Sequence, residues 1–159
     1  MATKTTKAAE LKAGDAAPGF EALDETGAKH SLKSYRGRTV ILYFYPKDDT
    51  PGCTQESCDF RDLSSQFGKK KAVILGVSPD SAKSHQKFKD KHGLSFPLLV
   101  DEDKALCQAY GVWKEKSMYG RTYMGVERST FVIGPDGRIV EAHRKVSVSG
   151  HAKSILETL

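Results

Sequence analysis

The sequence contains only three cysteines and no long apolar run. Its longest apolar stretches, Val40–Tyr45 and Ala72–Val77, are far shorter than the ~20 residues that a membrane helix needs, so no membrane association is expected. Residues 1–12 lack the apolar segment of a secretory signal, and we expect them to form a flexible N-terminal tail. Because repeats and linker-like stretches are absent, residues 13–159 are predicted to form a single domain.

The scarcity of cysteine also limits the sites that the chain can form. There is no Cys-x-x-Cys pair and no His-x-x-x-His spacing, so a zinc site built from Cys53, Cys58 and Cys107 is disfavoured and no metal is expected. An odd number of cysteines favours a reducing compartment, here the cytoplasm, where thiols act chemically. Cys107 reads as a buried structural thiol. The five histidines are scattered over segments that we predict to lie on the surface.

Positive charge is in moderate excess, with a formal net charge of +5. It is spread along the chain, and the one dense run is Lys69–Lys71. Aromatic residues do not alternate with that run as they would on a nucleic-acid-binding surface. Nucleic-acid binding is therefore not expected.

Apolar runs and turn signals predict an α/β fold with a central mixed sheet flanked by helices. Thr39–Tyr45 and Ala72–Ser78 read as strands buried on both faces, and the helix between them makes a parallel βαβ unit. The other predicted elements are an N-terminal β-hairpin (Gly19–Leu23 with Lys29–Leu32), a helix capped by Ser81 and ending near His92, a short strand after Pro97, a helix from Asp101 or Asp103 to about Tyr110, an ordered loop over Gly111–Gly125, strands Val126–Gly134 and Arg138–Arg144, and a helix over Ser149–Leu159 capped by Ser149.

The segment that follows the first buried strand places a cysteine at the start of a helix. Thr50 followed by Pro51 is a helix-start signal, and Phe60 and Phe67 recur on one helical face. Cys53 therefore lies in the first turn, where free N–H groups and the helix dipole push a thiol toward thiolate. The alternative is that Cys53 is only a small buried residue at a strand-to-helix junction.

Cys58 follows Cys53 on the same predicted helix. In an intact helix a five-residue spacing gives a Cα separation near 8.6 Å, whereas a disulfide tolerates at most about 7 Å. The pair cannot be a static disulfide unless the first turns are not helical. If the two cysteines bond, the helix must partly unwind.

These residues match a known pattern. Pro46-x-x-x-Thr50-x-x-Cys53 resembles the active-site motif of the peroxiredoxins, which are thiol peroxidases of thioredoxin-like fold. The context TPGCTQESCDFRD, with its second cysteine, is similar to the subgroup called peroxiredoxin Q or bacterioferritin comigratory protein. The resemblance begins near Asp15 and extends through Gly111-Val-Trp, Tyr119-Gly, Tyr123-Met-Gly and Glu127-Arg-Ser-Thr-Phe-Val-Ile.

The resemblance implies a role for each motif residue. Cys53 would be the peroxidatic cysteine and Cys58 the resolving one, in the atypical two-cysteine mechanism within one chain. Thr50 and Arg128 would complete the site, and Pro46 would shield it. Glu56 stands where the family has Glu or Gln, and would orient the arginine.

Each of these residues also has a simpler interpretation. Thr50 can serve only as a helix cap, and Pro46 can simply end the strand. Arg128 can be either a solvated charge or a paired one. Without the resemblance, Glu56 reads as a carboxylate on the helix surface.

The resemblance further implies the reaction and its partners. Hydrogen peroxide and organic hydroperoxides would be reduced to water and alcohols without a cofactor, and thioredoxin or a related dithiol would restore the enzyme. A monomer or weak dimer is expected. Two other functions share the same cysteines: a general thiol-disulfide oxidoreductase, and a redox sensor or holdase.

Overall fold

The computed structural model describes residues 10–159, with nine strands and five α-helices among them. The strands are β1 (Glu21–Leu23), β2 (Lys29–Ser31), β3 (Thr39–Phe44), β4 (Ala72–Ser78), β5 (Leu98–Val100), β6 (Trp113–Met118), β7 (Arg121–Val126), β8 (Ser129–Ile133) and β9 (Ile139–His143). The helices are α1 (Pro51–Asp62), α2 (Ser64–Lys69), α3 (Ala82–His92), α4 (Ala105–Ala109) and α5 (His151–Glu157), and a short 3-10 helix covers Leu32–Tyr35.

Five strands form the central sheet in the order β5-β4-β3-β8-β9. β3 pairs in parallel with β4, and β4 with β5, so the predicted βαβ unit is confirmed. β8 pairs antiparallel with both β3 and β9, which makes the sheet mixed as predicted. The predicted N-terminal β-hairpin is also present as the antiparallel pair β1 and β2.

Alternate side chains of β3 point into two separate hydrophobic clusters, one on each face of the sheet. Ile41 and Tyr43 pack on the face covered by α1, α2, α3 and α5. Leu42 and Phe44 pack on the other face, with α4 and the 3-10 helix. Burial on both faces explains why β3 is a continuous apolar run rather than an alternating one. No helix within residues 10–159 is long and apolar enough to cross a membrane.

The prediction of an ordered loop over Gly111–Gly125 is wrong, because this segment forms the β6–β7 hairpin. Its turn residues Tyr119 and Gly120 have φ values of 53° and 76°, and a two-residue hairpin turn requires such left-handed backbone. Most side chains of the hairpin are at least partly exposed on both faces. The alternation of apolar and polar residues that signals a strand is therefore missing.

Several predicted boundaries also need correction. The Val126–Gly134 strand is divided, since β7 ends at Val126 and β8 begins at Ser129. The helix after Cys53 breaks at Leu63. Ser149 does not cap α5, because Gly150, with a φ of 74°, occupies the N-cap position. Of the histidines predicted on the surface, His85 and His151 are buried.

The predicted flexible tail, residues 1–12, falls largely outside the described part of the chain, which begins at Glu10. The Glu10 carboxylate lies 3.3 Å from the Lys114 ammonium and 3.5 Å from Arg144 Nε. The last residues of this segment are therefore attached to the body of the protein by ion pairs.

Candidate active site

Cys53 lies in the first turn of α1 and is 1% exposed. Thr50 is the N-cap residue and Pro51 the first helical residue, as their sequence predicts. The Thr50 hydroxyl makes no capping bond, however, and instead donates to the Lys47 carbonyl at 2.9 Å. The interpretation of Thr50 as a side-chain cap is therefore wrong, and its hydroxyl belongs to the loop that precedes the helix.

Strand pairing brings Arg128 to Cys53. The last residue of β3, Phe44, pairs with the first residue of β8, Ser129, so the residue before β8 lies where the chain leaves β3 for α1. From there Arg128 Nη2 donates to the Cys53 sulfur at 3.4 Å. Arg128 is thus paired and not a solvated charge.

Gly52 leaves room for this approach, and sequence reasoning did not identify it. A Cβ atom added to Gly52 would lie 3.1 Å from Arg128 Nη2, which is tighter than most Cβ contacts in proteins. A side chain at this position would therefore make the guanidinium shift by a few tenths of an ångström. The sequence does contain a signal for it. Glycine is unfavourable within a helix, so a glycine directly before Cys53 in the first helical turn indicates that another group approaches closely there.

Glu56 is buried in the same site, so its interpretation as a helix-surface carboxylate is wrong. Its Oε1 accepts a hydrogen bond from Arg128 Nη1 at 2.7 Å, and its Oε2 has no hydrogen-bond partner among the described residues. Burial raises the pKa of Glu56 to about 7, although the charge and the hydrogen bond of Arg128 lower it. Burial lowers the pKa of Arg128, but the negative charges of Glu56 and Cys53 raise it overall, so the guanidinium stays charged.

The raised pKa of Glu56 predicts a pH-dependent stability. The folded chain keeps a proton on this carboxyl that the unfolded chain releases between pH 4.5 and about 7. The free energy of unfolding therefore falls as pH rises through this window, by up to about 3 kcal/mol. We expect the fall to be absent in Glu56→Gln, and urea unfolding of both proteins at successive pH values measures it.

His151 acts in the opposite direction, because burial lowers its pKa from 6.5 to about 4 and stability is lost as pH falls. The parent and Glu56→Gln share this contribution, so their difference isolates Glu56. A difference that does not change between pH 4.5 and 8 would contradict the assignment of a raised pKa.

Cys58 is half-buried on α1, which is continuous from Pro51 to Asp62. All three cysteines are free thiols. With the helix intact, its geometry keeps the Cα atoms of Cys53 and Cys58 near 8.6 Å apart, beyond disulfide range. The reduced protein therefore holds the two cysteines on one helix without joining them.

Cys107 lies away from these residues. It packs in the hydrophobic cluster on the opposite face of the sheet from Cys53. Burial, and then the hydrogen bond and charge of Asp101, raise the pKa of its thiol. This burial matches the interpretation of a structural thiol, and the sheet between Cys107 and Cys53 prevents the three cysteines from sharing a metal.

Pro46 lies half-buried on the loop between β3 and α1. The site thus combines one loop, one helix start and one strand start. Its features are a buried sulfur, a guanidinium in contact with that sulfur, and a buried carboxyl that binds the other side of the guanidinium.

This chain is similar to known proteins over most of its length. Residues 13–142 match the AhpC/TSA family. The chain is 50% identical over 149 residues to peroxiredoxin Bcp of Bacillus subtilis, covering 94% of this chain and 95% of that protein. It is 52% identical over 133 residues to peroxiredoxin Bcp of Xanthomonas campestris, covering 84% and 83%.

Solved structures are similar over comparable lengths. A cysteine-to-serine mutant of PrxQ from Xylella fastidiosa superposes with a TM-score of 0.89 at 43% identity, covering 95% of this chain and 96% of that chain. The bacterioferritin comigratory protein of Xanthomonas campestris, studied for alkyl peroxide reduction, superposes with a TM-score of 0.84 at 48% identity, covering 87% and 88%.

The chain therefore belongs to the AhpC/TSA family, with the thioredoxin-like fold that the motif predicts. Within that family it is a peroxiredoxin of the peroxiredoxin Q or bacterioferritin comigratory protein subgroup. It is accordingly a thiol peroxidase, an oxidoreductase that reduces peroxides.

Proposed function

We propose that Cys53 is the peroxidatic cysteine, and that Arg128, Thr50 and Pro46 form its site. The observation that carries this assignment is the 3.4 Å contact between Arg128 Nη2 and the Cys53 sulfur. A permanently charged guanidinium in a buried site stabilises a thiolate, and a thiolate is the nucleophilic form of cysteine. Pro46 and the rest of its loop shield the sulfur from bulk water.

The reaction begins with in-line attack of the Cys53 thiolate on one peroxide oxygen. The S–O bond forms as the O–O bond breaks, so that Cys53 becomes a sulfenic acid while the other oxygen leaves as hydroxide or alkoxide and takes up a proton. The guanidinium of Arg128 stabilises the charge that develops on the leaving oxygen. The Thr50 hydroxyl and the backbone N–H of Cys53 align the peroxide.

Cys58 completes the cycle as the resolving cysteine. Its thiol attacks the sulfenic sulfur of Cys53, water leaves, and an intrachain Cys53–Cys58 disulfide forms. Thioredoxin or a related dithiol then reduces this disulfide by thiol–disulfide exchange. The reduced helix has to open for the two sulfurs to meet.

The burial of Cys53 supports a peroxide as the substrate in preference to a protein disulfide. Cys53 is 1% exposed, so only a small group can approach its sulfur, and the terminal oxygens of hydrogen peroxide and of organic hydroperoxides are such groups. A protein disulfide would require the sulfur to lie on the surface. We place this enzyme in the cytoplasm, as a single domain over residues 13–159 that acts as a monomer or weak dimer without a cofactor.

Rapid mixing of the reduced protein with hydrogen peroxide tests the assignment. We expect the parent and Cys107→Ala to react equally fast, and Cys53→Ser not to react, because Cys107 is buried on the other side of the sheet. Loss of peroxide gives the rate of the reaction, and mass spectrometry counts the oxygen added to the protein.

Thioredoxin dependence is measured as turnover of peroxide with thioredoxin and its reductase. A slow reaction of the parent, or an undiminished one in Cys53→Ser, would contradict the peroxidatic assignment. Fast oxidation of Cys53 without turnover by any dithiol would instead support the alternative function, a redox sensor.

A further inference from the structure

A buried hydrogen-bonded network lies between α3 and the loop that leads into α1. This Asp48 network consists of Asp48, Asp80 and His85, together with Tyr45 and Ser84. Asp48 Oδ1 accepts from the Tyr45 hydroxyl at 2.6 Å, and Oδ2 accepts from Ser84 Oγ at 2.8 Å and from His85 Nδ1 at 2.7 Å. Asp80 accepts from the backbone N–H of Asp48 at 2.8 Å. The side chains of His85 and Asp48 are 0% and 3% exposed.

The partners of His85 determine its protonation state. Its Nε2 lies 2.8 Å from the Leu99 carbonyl, which can only accept, so Nε2 carries a proton. Both oxygens of Asp48 accept from hydroxyls, as those of an ionised carboxylate do, and an ionised carboxylate has no proton to donate, so Nδ1 also donates. The ring therefore carries both protons and a positive charge.

The surroundings of His85 favour this charge. Burial lowers the pKa of His85, but the hydrogen bond and charge of Asp48, followed by the Leu99 carbonyl and Asp80, raise it overall. The titratable groups that face the ring are Asp48, Asp80 and Tyr45. The His85 imidazolium and the Asp48 carboxylate thus form an ion pair that is buried from solvent.

The same three side chains, Asp48, Asp80 and His85, could in principle hold a metal ion, since their ligand atoms lie within 4.8 Å of one another. Both nitrogens of His85 and both oxygens of Asp48 are already engaged in hydrogen bonds within the protein. The network therefore needs no cation to complete its hydrogen bonds. Its role follows from the segment of chain that Asp48 belongs to.

Asp48 belongs to the loop of residues 46–50, here called the site loop, which carries Pro46 and Thr50. The next residue, Asp49, has a φ of 62°, which is left-handed backbone that a non-glycine residue seldom adopts. Its carboxylate accepts from Lys91 Nζ at 2.8 Å and lies 3.2 Å from His92 Nε2. Two consecutive residues thus fix the site loop to α3.

We propose that His85 is a positioning residue for the peroxide reaction: its imidazolium holds Asp48, and Asp48 holds the site loop so that Thr50 lies correctly beside Cys53. The proposal rests on the peroxidatic role of Cys53. Displacement of a positioning group by about 1 Å can slow a reaction on the order of 100-fold. Asp48 is buried next to Asp49 in the site loop, so loss of its hydrogen bond to His85 is expected to slow the reaction of Cys53 with peroxide.

Two substitutions separate the two hydrogen bonds of His85, one from Nδ1 to Asp48 and one from Nε2 to the Leu99 carbonyl. The amide of His85→Asn stands in for Nδ1 and can still donate to Asp48, whereas that of His85→Gln stands in for Nε2 and can still donate to Leu99. Each variant loses one buried hydrogen bond, so we expect similar losses in thermal unfolding midpoint. We expect His85→Asn to react with hydrogen peroxide within about threefold of the parent, and His85→Gln to be about 10- to 100-fold slower.

Equal rates in the two variants, or a faster His85→Gln, would overturn the proposal. The parent serves as the reference. If the parent does not react through Cys53, the proposed function fails. If the parent reacts and both variants react at the same rate as the parent, only the role of His85 is rejected.

If the variants do not fold, ¹⁵N NMR of the parent tests the protonation state of His85 instead. Both His85 ring nitrogens are expected to carry protons at neutral pH, and a neutral ring would overturn the proposal.

Discussion

Replacing Arg128 with methionine is expected to slow the reaction of Cys53 with hydrogen peroxide by about 10²- to 10³-fold. Methionine has a similar length but no charge and no donors, so the contact with the Cys53 sulfur and any hydrogen bond to the leaving oxygen are both lost. The expected size is that of removing one preorganised donor from a buried active site. Rapid-mixing kinetics at several peroxide concentrations give the second-order rate constant.

Glu56 determines how the Arg128→Met result is interpreted. The guanidinium lowers the pKa of Glu56, so its removal raises that pKa above about 7 and leaves a neutral carboxyl in the site. Repulsion between two anions therefore does not explain a slow reaction. We expect Glu56→Gln/Arg128→Met to be as slow as Arg128→Met alone, because Glu56 acts through the arginine.

Arg121 offers a matched control for the loss of charge. It is exposed at the start of β7, so Arg121→Met removes the same charge at a residue that has no part in the proposed site. We expect its rate to equal that of the parent. If Arg121→Met slows the reaction as much as Arg128→Met, the effect is one of net charge, and the contact with the sulfur has no special role.

The parts of the fold that could be predicted are those whose signals are local. β3 and β4 were recognisable because strands buried on both faces are apolar throughout. The start of α1 was recognisable because Thr50 and Pro51 are typical of that position. The β6–β7 hairpin was missed because exposure on both of its faces removes the alternation that reveals a strand.

The site depended on contacts between distant parts of the chain. The pairing of Phe44 with Ser129 brings Arg128 to Cys53, and no local pattern encodes that pairing. The resemblance to a family supplied the expectation, and in the structure the two side chains are in contact. The burial of Glu56 was missed for the same reason, because its hydrogen-bond partner Arg128 comes from a distant part of the chain.

Replacing Cys58 with serine is expected to separate the first half of the reaction from the second. Cys58→Ser keeps Cys53, Arg128 and the start of α1, so it should still consume one equivalent of peroxide at the parental rate. Turnover with thioredoxin should fall by more than about tenfold, because the sulfenic acid on Cys53 has no neighbouring thiol with which to condense. Cys107→Ala is the control and should turn over normally.

The structure also specifies what disulfide formation has to disrupt. Between the two cysteines, Glu56 binds Arg128 at 2.7 Å and the Ser57 hydroxyl is bonded to the Tyr43 hydroxyl at 2.8 Å, both in buried positions. Opening the first turns loses few backbone bonds, but it also breaks these two buried side-chain contacts.

Amide hydrogen exchange at residues 53–58 measures this opening. We expect protection there to fall in the oxidised parent and to persist in oxidised Cys58→Ser, which stops at the sulfenic acid. Undiminished turnover of Cys58→Ser would remove Cys58 from the cycle. Unchanged protection in a parent that carries the Cys53–Cys58 disulfide would mean that the sulfurs meet without unwinding, which the geometry of a continuous helix does not permit.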